Sequence, residues 1–355
     1  MIWIFIAGLA ALVAGAELLV RGAARLALAW GISPLVVGLT VVAFGTSAPE
    51  MAVSLGAALN GRADIAVGNV VGSNIFNVLF ILGLSALVVP LVVNAQIIRQ
   101  EVPIMIGASL LLLVMGLDGR LGLFDSALLL GLMIAYTVFL TVQSRRETQT
   151  TSDEYAHLAQ ATRWDRHWAV QLLLIAAGLG LLVLGSEWLV GAAVAFARAL
   201  GVSDLVIGLT IVAAGTSMPE VATSLMAAIR KERDIAIGNV VGSSTFNILG
   251  CLGLTGIVSG HGLALAQPVL NFDIWVMLAA AFACLPVFLT GREIARWEGA
   301  VFLAYYAAYA AYLILAAQDY GALQAYSAAM LTFALPITVI TLVVLLLRRP
   351  RAGGA

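Results

Sequence analysis

Residues Gly38–Val88 read GLTVVAFGTSAPEMAVSLGAALNGRADIAVGNVVGSNIFNVLFILGLSALV, and residues Gly208–Val258 read GLTIVAAGTSMPEVATSLMAAIRKERDIAIGNVVGSSTFNILGCLGLTGIV. The two stretches are 51 residues each, lie 170 positions apart, align without a gap and agree at 31 positions. The agreement pairs Thr46 with Thr216, Ser47 with Ser217, Pro49 with Pro219, Glu50 with Glu220, Ser73 with Ser243 and Asn77 with Asn247. Packing alone would keep apolar and small residues, which substitute for one another. It would not keep a glutamate, a proline and a row of hydroxyl and amide groups inside apolar segments. Such groups are expensive in hydrocarbon, so a duplicated set of them implies one site assembled from two halves.

Composition defines the solvent. The chain has 355 residues, of which 62% are hydrophobic and 10% charged, against about 25% charged in a soluble domain. Mean hydropathy is +1.05. An all-α polytopic membrane protein follows, each crossing needing roughly 20 apolar residues. The net charge of −1 suggests no nucleic-acid partner. Cys251 and Cys284 lie in apolar runs and read as small hydrophobes, neither a disulfide framework nor a metal site.

Eleven spans are expected, at about 2–20, 34–59, 65–92, 102–117, 121–142, 168–197, 204–229, 235–258, 268–290, 297–317 and 322–347. The first has no basic residue before its apolar run, so it reads as a retained span with an external N-terminus rather than a signal peptide. This orientation puts 15 of the 18 Lys and Arg residues on the cytoplasmic side, with only Arg62, Arg120 and Arg198 outside. That asymmetry obeys the positive-inside rule and leaves the C-terminus cytoplasmic. Five spans precede the second copy, an odd number, so the halves enter the membrane in opposite directions. The expected organisation is two inverted-topology five-helix repeats plus an eleventh C-terminal helix. Their bounds are 1–142 for the first repeat, 143–166 for a cytoplasmic linker, 167–317 for the inverted repeat, and 318–355 for the extra helix and basic tail.

Thr46, Ser47, Asn77, Ser217 and Asn247 fall near the middles of their spans, so the duplicated polar segments meet near the bilayer midplane. Thr46 and Glu50 share a helix face four residues apart, as do Thr216 and Glu220. Asn69, Ser73 and Asn77 form one stripe, matched by Asn239, Ser243 and Asn247. Pro49 and Pro219 have no N–H, which deprives the Gly45 and Gly215 carbonyls of helical partners. The carbonyls of Ala43, Thr46, Ala213 and Thr216 sit in the same loosened turns. Broken helices at this depth are tolerated where freed carbonyls line a cavity. The resulting set is all oxygen, which suits hard cations such as calcium and, lacking histidine and cysteine, argues against zinc or copper.

Other polar residues have plainer readings. Ser54, Ser85 and Thr255 are expected to bond back to the preceding turn, Asp64 and Asp234 to cap helices, and Gly68, Gly72, Gly238 and Gly242 to allow close helix packing. Glu17 and Glu187 form another matched pair. Glu17 has Arg21 one turn on, so an ion pair at the inner surface competes with a functional role; Glu187 has Gly191 there.

In GTSxPE and GNVVGSxxFN, each present twice, the chain resembles the calcium/cation antiporter superfamily, particularly its bacterial and archaeal sodium/calcium exchangers. The resemblance covers residues 1–317 and leaves the last span unmatched. It implies that helices 1 and 6 slide across the other eight to alternate access to a central site. It also implies that Glu50, Glu220 and the Thr46 and Thr216 carbonyls hold calcium. Ser47, Ser73, Ser217, Ser243, Ala43 and Ala213 would then contribute to flanking sodium sites. The sequence departs from the family in carrying asparagine at both 77 and 247, where well-known members carry one aspartate, so three-for-one exchange does not follow. The implied function is calcium/sodium antiport in the cell (inner) membrane, with calcium, sodium and the lipid bilayer as partners, no cofactor, no protein partner and no enzymatic activity. Calcium/proton antiport, with Glu50 and Glu220 alternating between proton and calcium, is the alternative; His157, His167 and His261 lie outside the spans, so proton coupling would fall on the glutamates. A calcium channel would use the same oxygens but arranges them in rings around a pore.

Overall fold

The computed structural model of the chain describes residues 2–30, 32–147, 168–201, 207, 211, 213–317 and 322–339. The described residues are almost entirely helical. The helices are α1 (Ile2–Trp30), α2 (Pro34–Thr46), α3 (Ala48–Leu59), α4 (Ala63–Val88), α5 (Ile97–Asp118) and α6 (Leu123–Glu147). There follow α7 (Trp168–Ala199), α8 (Ala213–Gly215), α9 (Met218–Ile229), α10 (Arg233–Val258), α11 (Val269–Leu289), α12 (Arg296–Ala317) and α13 (Ala322–Ala329). Among the described residues eight helices are each long and apolar enough to cross a bilayer, or nine with the bent pair α2–α3 taken as one. The seventh expected span, 204–229, lies partly outside the described residues. So do the linker beyond Glu147, with His157 and His167, and the end of the eleventh span.

The two helices that carry the duplicated Asn and Ser residues are the most enclosed. The most apolar stretch of α10 is buried throughout and that of α4 over most of its length, whereas α12 is mostly half-buried or exposed. Hydrocarbon solvates apolar side chains but not amides and hydroxyls, so the helices bearing the duplicated Asn and Ser residues go to the centre. Exposed Phe124, Phe139, Trp275 and Phe282 follow from the same rule.

Glycine sets the closest approaches. A Cβ on Gly15 would lie 2.8 Å from the Gly178 carbonyl oxygen, and one on Gly8 would lie 2.9 Å from that of Gly185. Position rises along α1 as it falls along α7, so these helices, 170 positions apart in the duplication, run antiparallel with their backbones in contact. Other contacts also recur with the halves exchanged. Gly83 of α4 abuts Gly299 of α12, and Gly253 of α10 abuts Ser126 and Leu130 of α6. Strand β1 (Leu91–Val92) pairs antiparallel with β4 (Glu293–Ile294), and β2 (Arg120–Leu121) with β3 (Leu263–Ala264).

Several local expectations need correction. The third span, expected to reach residue 92, ends at Val88, because Leu91 and Val92 are taken by β1. Helix α1 runs ten residues past its expected end and carries Arg21 and Arg25 on its last turns. Asp64 and Asp234 are not N-caps: Arg62 and Glu232 occupy those positions, and the aspartates sit in the first turns, where they favour the helix dipole. Ser54 does not bond to its own preceding turn; it reaches the Ala66 carbonyl at 3.5 Å and accepts from Asn69. The Ser85 and Thr255 hydroxyls are buried without a hydrogen-bond partner. Gly238 and Gly242 do allow close packing, Gly242 against Leu39. Gly68 and Gly72 have no described atom within 4 Å of a would-be Cβ; the matching positions 205 and 209 lie outside the described residues. Helix α13 is tied to α12 by Tyr326, whose hydroxyl donates to the Ala308 carbonyl at 2.7 Å.

Candidate functional site

The site begins where α2 breaks into α3. The two helices are bent by 44°, and Ser47 between them leaves helical geometry at φ −82° and ψ 6°. Ser217 does the same before α9, at φ −89° and ψ 10°. Each break lies two residues before a proline, whose missing N–H prevents the turn from closing. Glu50 and Glu220 then occupy the first turns of α3 and α9, where a helix N-terminus favours negative charge. Both carboxylates are only 1% exposed.

The halves cross-link through these residues. Ser217 donates its hydroxyl to Glu50 Oε1 at 2.7 Å, and Ser47 donates to Glu220 Oε1 at 3.1 Å. Ser73 Oγ lies 3.4 Å from Ser217 Oγ. The second carboxylate oxygens, Glu50 Oε2 and Glu220 Oε2, are buried with no hydrogen-bond partner, as are Thr216 Oγ1, Asn77 Oδ1 and Asn247 Oδ1. Buried polar atoms normally find partners, and unpartnered oxygens on the duplicated segments are of the chemistry that could hold a hard cation.

A further layer holds the glutamate backbones. Asn69 Nδ2 donates to the Glu50 carbonyl at 3.1 Å and to Ser54 Oγ at 3.0 Å. Asn239 Nδ2 reaches the Glu220 carbonyl at 3.5 Å and Ser224 Oγ at 2.9 Å. Asn69 and Asn239 therefore serve the turns after the breaks. The Thr46 hydroxyl lies within reach of the Val42 carbonyl, at 3.1 Å, and of Asn239 Oδ1, also at 3.1 Å, so it is turned away from Glu50.

The loosened carbonyls are less free than the prolines suggested. The Ala43 carbonyl keeps a helical bond from the Ser47 N–H at 3.0 Å and lies 3.5 Å from Ser243 Oγ. The Gly215 carbonyl, released by Pro219, accepts the Ser186 hydroxyl at 2.6 Å. The position matching Ser186 is Ala16, so the first half lacks this donor. Ala213 opens the short helix α8.

Asn77 and Asn247 lie in wide π turns, Phe76–Leu82 and Asn247–Leu252. Such turns insert a residue into a helix and frequently mark functional positions. Three residues were not legible as part of the site. Asn74 has a serine at the matched position, so the duplication conceals it. Ser186 is concealed the same way. Cys251, placed among the plain hydrophobes, lies with Sγ 3.9 Å from the Glu50 carbonyl. Glu17 pairs with Arg230 at the end of α9, making two charge-assisted contacts across 213 residues. Glu187 is exposed.

A multi-pass helical bundle whose halves cross-link around buried, unpartnered oxygens is the construction of an ion transporter. The sodium/calcium exchanger protein family model matches residues 1–142 and 170–315. The putative antiporter CaxA of Alkalimonas amylolytica is 39% identical over 299 residues, covering 83% of this chain and 93% of that protein. The sodium/calcium exchanger MaX1 of Methanosarcina acetivorans is 33% identical over 338 residues, covering 86% and 96%. The structure of the sodium-calcium exchanger NCX_Mj soaked with sodium and calcium superposes with a TM-score of 0.73 at 31% identity, covering 86% of this chain and 95% of that one. The chain belongs to the sodium/calcium exchanger family, and is a multi-pass cation/calcium antiporter of a transporter rather than an enzyme family.

Proposed function

We propose that this antiporter exchanges intracellular calcium for external sodium by alternating access, with Glu50 and Glu220 as the central calcium ligands. The observation that carries this reading is the reciprocal pair Ser217–Glu50 and Ser47–Glu220, each carboxylate holding one oxygen in reserve. Two carboxylates balance one divalent ion, and desolvating calcium is affordable only where such charges face it. The Thr46 and Thr216 carbonyls and the Asn77 and Asn247 amides complete an all-oxygen shell. The hydroxyls of Ser47, Ser73, Ser217 and Ser243 and the carbonyls of Ala43 and Ala213 flank it as sodium ligands. A serine that donates its proton to a carboxylate still offers lone pairs to a cation. The names of the relatives MaX1 and NCX_Mj support sodium as the counter-ion.

The division into repeats at 1–142 and 167–317, with the linker between them and 318–355 appended, belongs to the same reading. So do an external N-terminus, a cytoplasmic C-terminus and residence in the inner membrane. Calcium/proton exchange is the competing reading, favoured by the same two free carboxylate oxygens, since each can take a proton as readily as share a cation. Calcium flux in proteoliposomes decides between them. Uptake driven by a sodium gradient at equal pH supports the proposal; uptake driven by a proton gradient without sodium overturns it. Flux with neither gradient would indicate a channel. Glu50→Gln and Glu220→Gln are each expected to abolish the exchange, and near-normal flux in either rejects the two-carboxylate site.

A further inference from the structure

The halves differ at one buried amide. Asn74, 2% exposed on α4, donates Nδ2 to the Ser244 carbonyl of α10 at 3.0 Å, with Met277 Sδ at 3.7 Å. Asn247 Nδ2 in turn donates to Asn74 Oδ1 at 3.3 Å. The matched position to Asn74 is Ser244, whose hydroxyl turns back to the Val240 carbonyl at 2.9 Å. Asn77 therefore has no such neighbour, and both its amide atoms are buried without a partner.

The direction of this relay is forced by chemistry. A backbone carbonyl can only accept, so the Asn74 group facing Ser244 must be its NH2. Asn74 then presents its oxygen to Asn247, which must answer with its own NH2. The Asn247 carbonyl oxygen is what remains, and it is buried and unclaimed. It stands one turn before Cys251, whose Sγ lies against the Glu50 carbonyl. An amide free to flip could turn its NH2 face toward a cation, and that face repels it.

We infer that Asn74 is a positioning residue that locks the Asn247 amide with its oxygen toward the transported ion, making the site asymmetric although its ligands are duplicated. Asn247 is the pre-set amide ligand and Asn77 the adaptable one. The inference rests on the buried oxygen cluster being the ion site. Partners that orient a ligand typically contribute about 10–100-fold in metal affinity without touching the metal.

The test is calcium uptake into sodium-loaded proteoliposomes, read as half-saturating calcium and maximal rate, with calcium binding to the detergent-purified protein measured by calorimetry. Asn74→Ala is expected to raise half-saturation and the dissociation constant about tenfold while the maximal rate stays within about twofold. In an Asn247→Ala background, Asn74→Ala is expected to change neither further, because its effect runs through that one amide. Additive losses, or an unchanged half-saturation in Asn74→Ala, overturn the inference. Asn74→Ser, the residue the second half carries, serves if Asn74→Ala does not fold. If both misfold, Asn74 is a structural residue and the inference fails. Sodium-driven calcium flux in the wild type tests the underlying reading separately.

Discussion

Removing the Ser217 hydroxyl perturbs the centre of the site without adding bulk. Ser217 donates to Glu50 Oε1 at 2.7 Å, the shorter of the two bonds that cross-link the halves. Glu50 Oε2 has no partner, so Ser217→Ala leaves a carboxylate that is 1% exposed without a hydroxyl donor on either oxygen. A hydrogen bond to a charged group contributes about 1.5–3 kcal/mol. At about 2 °C per kcal/mol, melting in calcium-free buffer is expected to fall by roughly 3–6 °C. Calcium bound between the carboxylates would satisfy both Glu50 oxygens itself, so the deficit is expected to shrink at saturating calcium. Ser47→Ala, which removes the 3.1 Å bond to Glu220, is expected to follow the same pattern with a smaller loss. The assay is thermal unfolding of the purified protein in detergent, with chelator and then with saturating calcium. An equal deficit in both conditions would place Ser217 in packing alone and refute the reasoning.

Gly178→Ala would set a Cβ 2.7 Å from the Leu19 nitrogen and 2.8 Å from the Gly15 oxygen. Helices α1 and α7 would have to part, at a cost of about 1–3 kcal/mol; Gly180→Ala, with no described atom within 4 Å, is the control, and equal melting temperatures for the two would contradict the glycine seam. For the orientation, a cysteine at Thr150 is expected to react only with reagents that reach the cytoplasm and one at Gly61 only from outside, and the reverse labelling would invert the topology. Asn247→Asp adds a carboxyl group at the locked amide, and is expected to alter the reversal potential or pH profile of calcium flux more than expression; unchanged values would remove position 247 from the transport site.

The duplication, the helical membrane character and the buried polar residues were legible in the sequence because each rests on a local cost. A charged or amide side chain in an apolar run is expensive wherever the chain goes, so Glu50, Glu220, Asn77 and Asn247 stand out before any packing is known. Proline likewise announces the breaks at Ser47 and Ser217, since its missing N–H acts within one turn. Which groups meet was decided only by the tertiary structure. Nothing in the periodicity indicates that Ser217 serves Glu50 while Ser47 serves Glu220, or that Arg230 reaches Glu17 across 213 residues. The π turns in which Asn77 and Asn247 lie are likewise not announced by four-residue spacing. Asn74 and Ser186 have no counterparts in the other half, so a reading built on matched positions passes over them. Local cost marks which polar residues stand out, and long-range packing assigns their partners, because a hydrogen bond depends on distances that sequence separation does not encode.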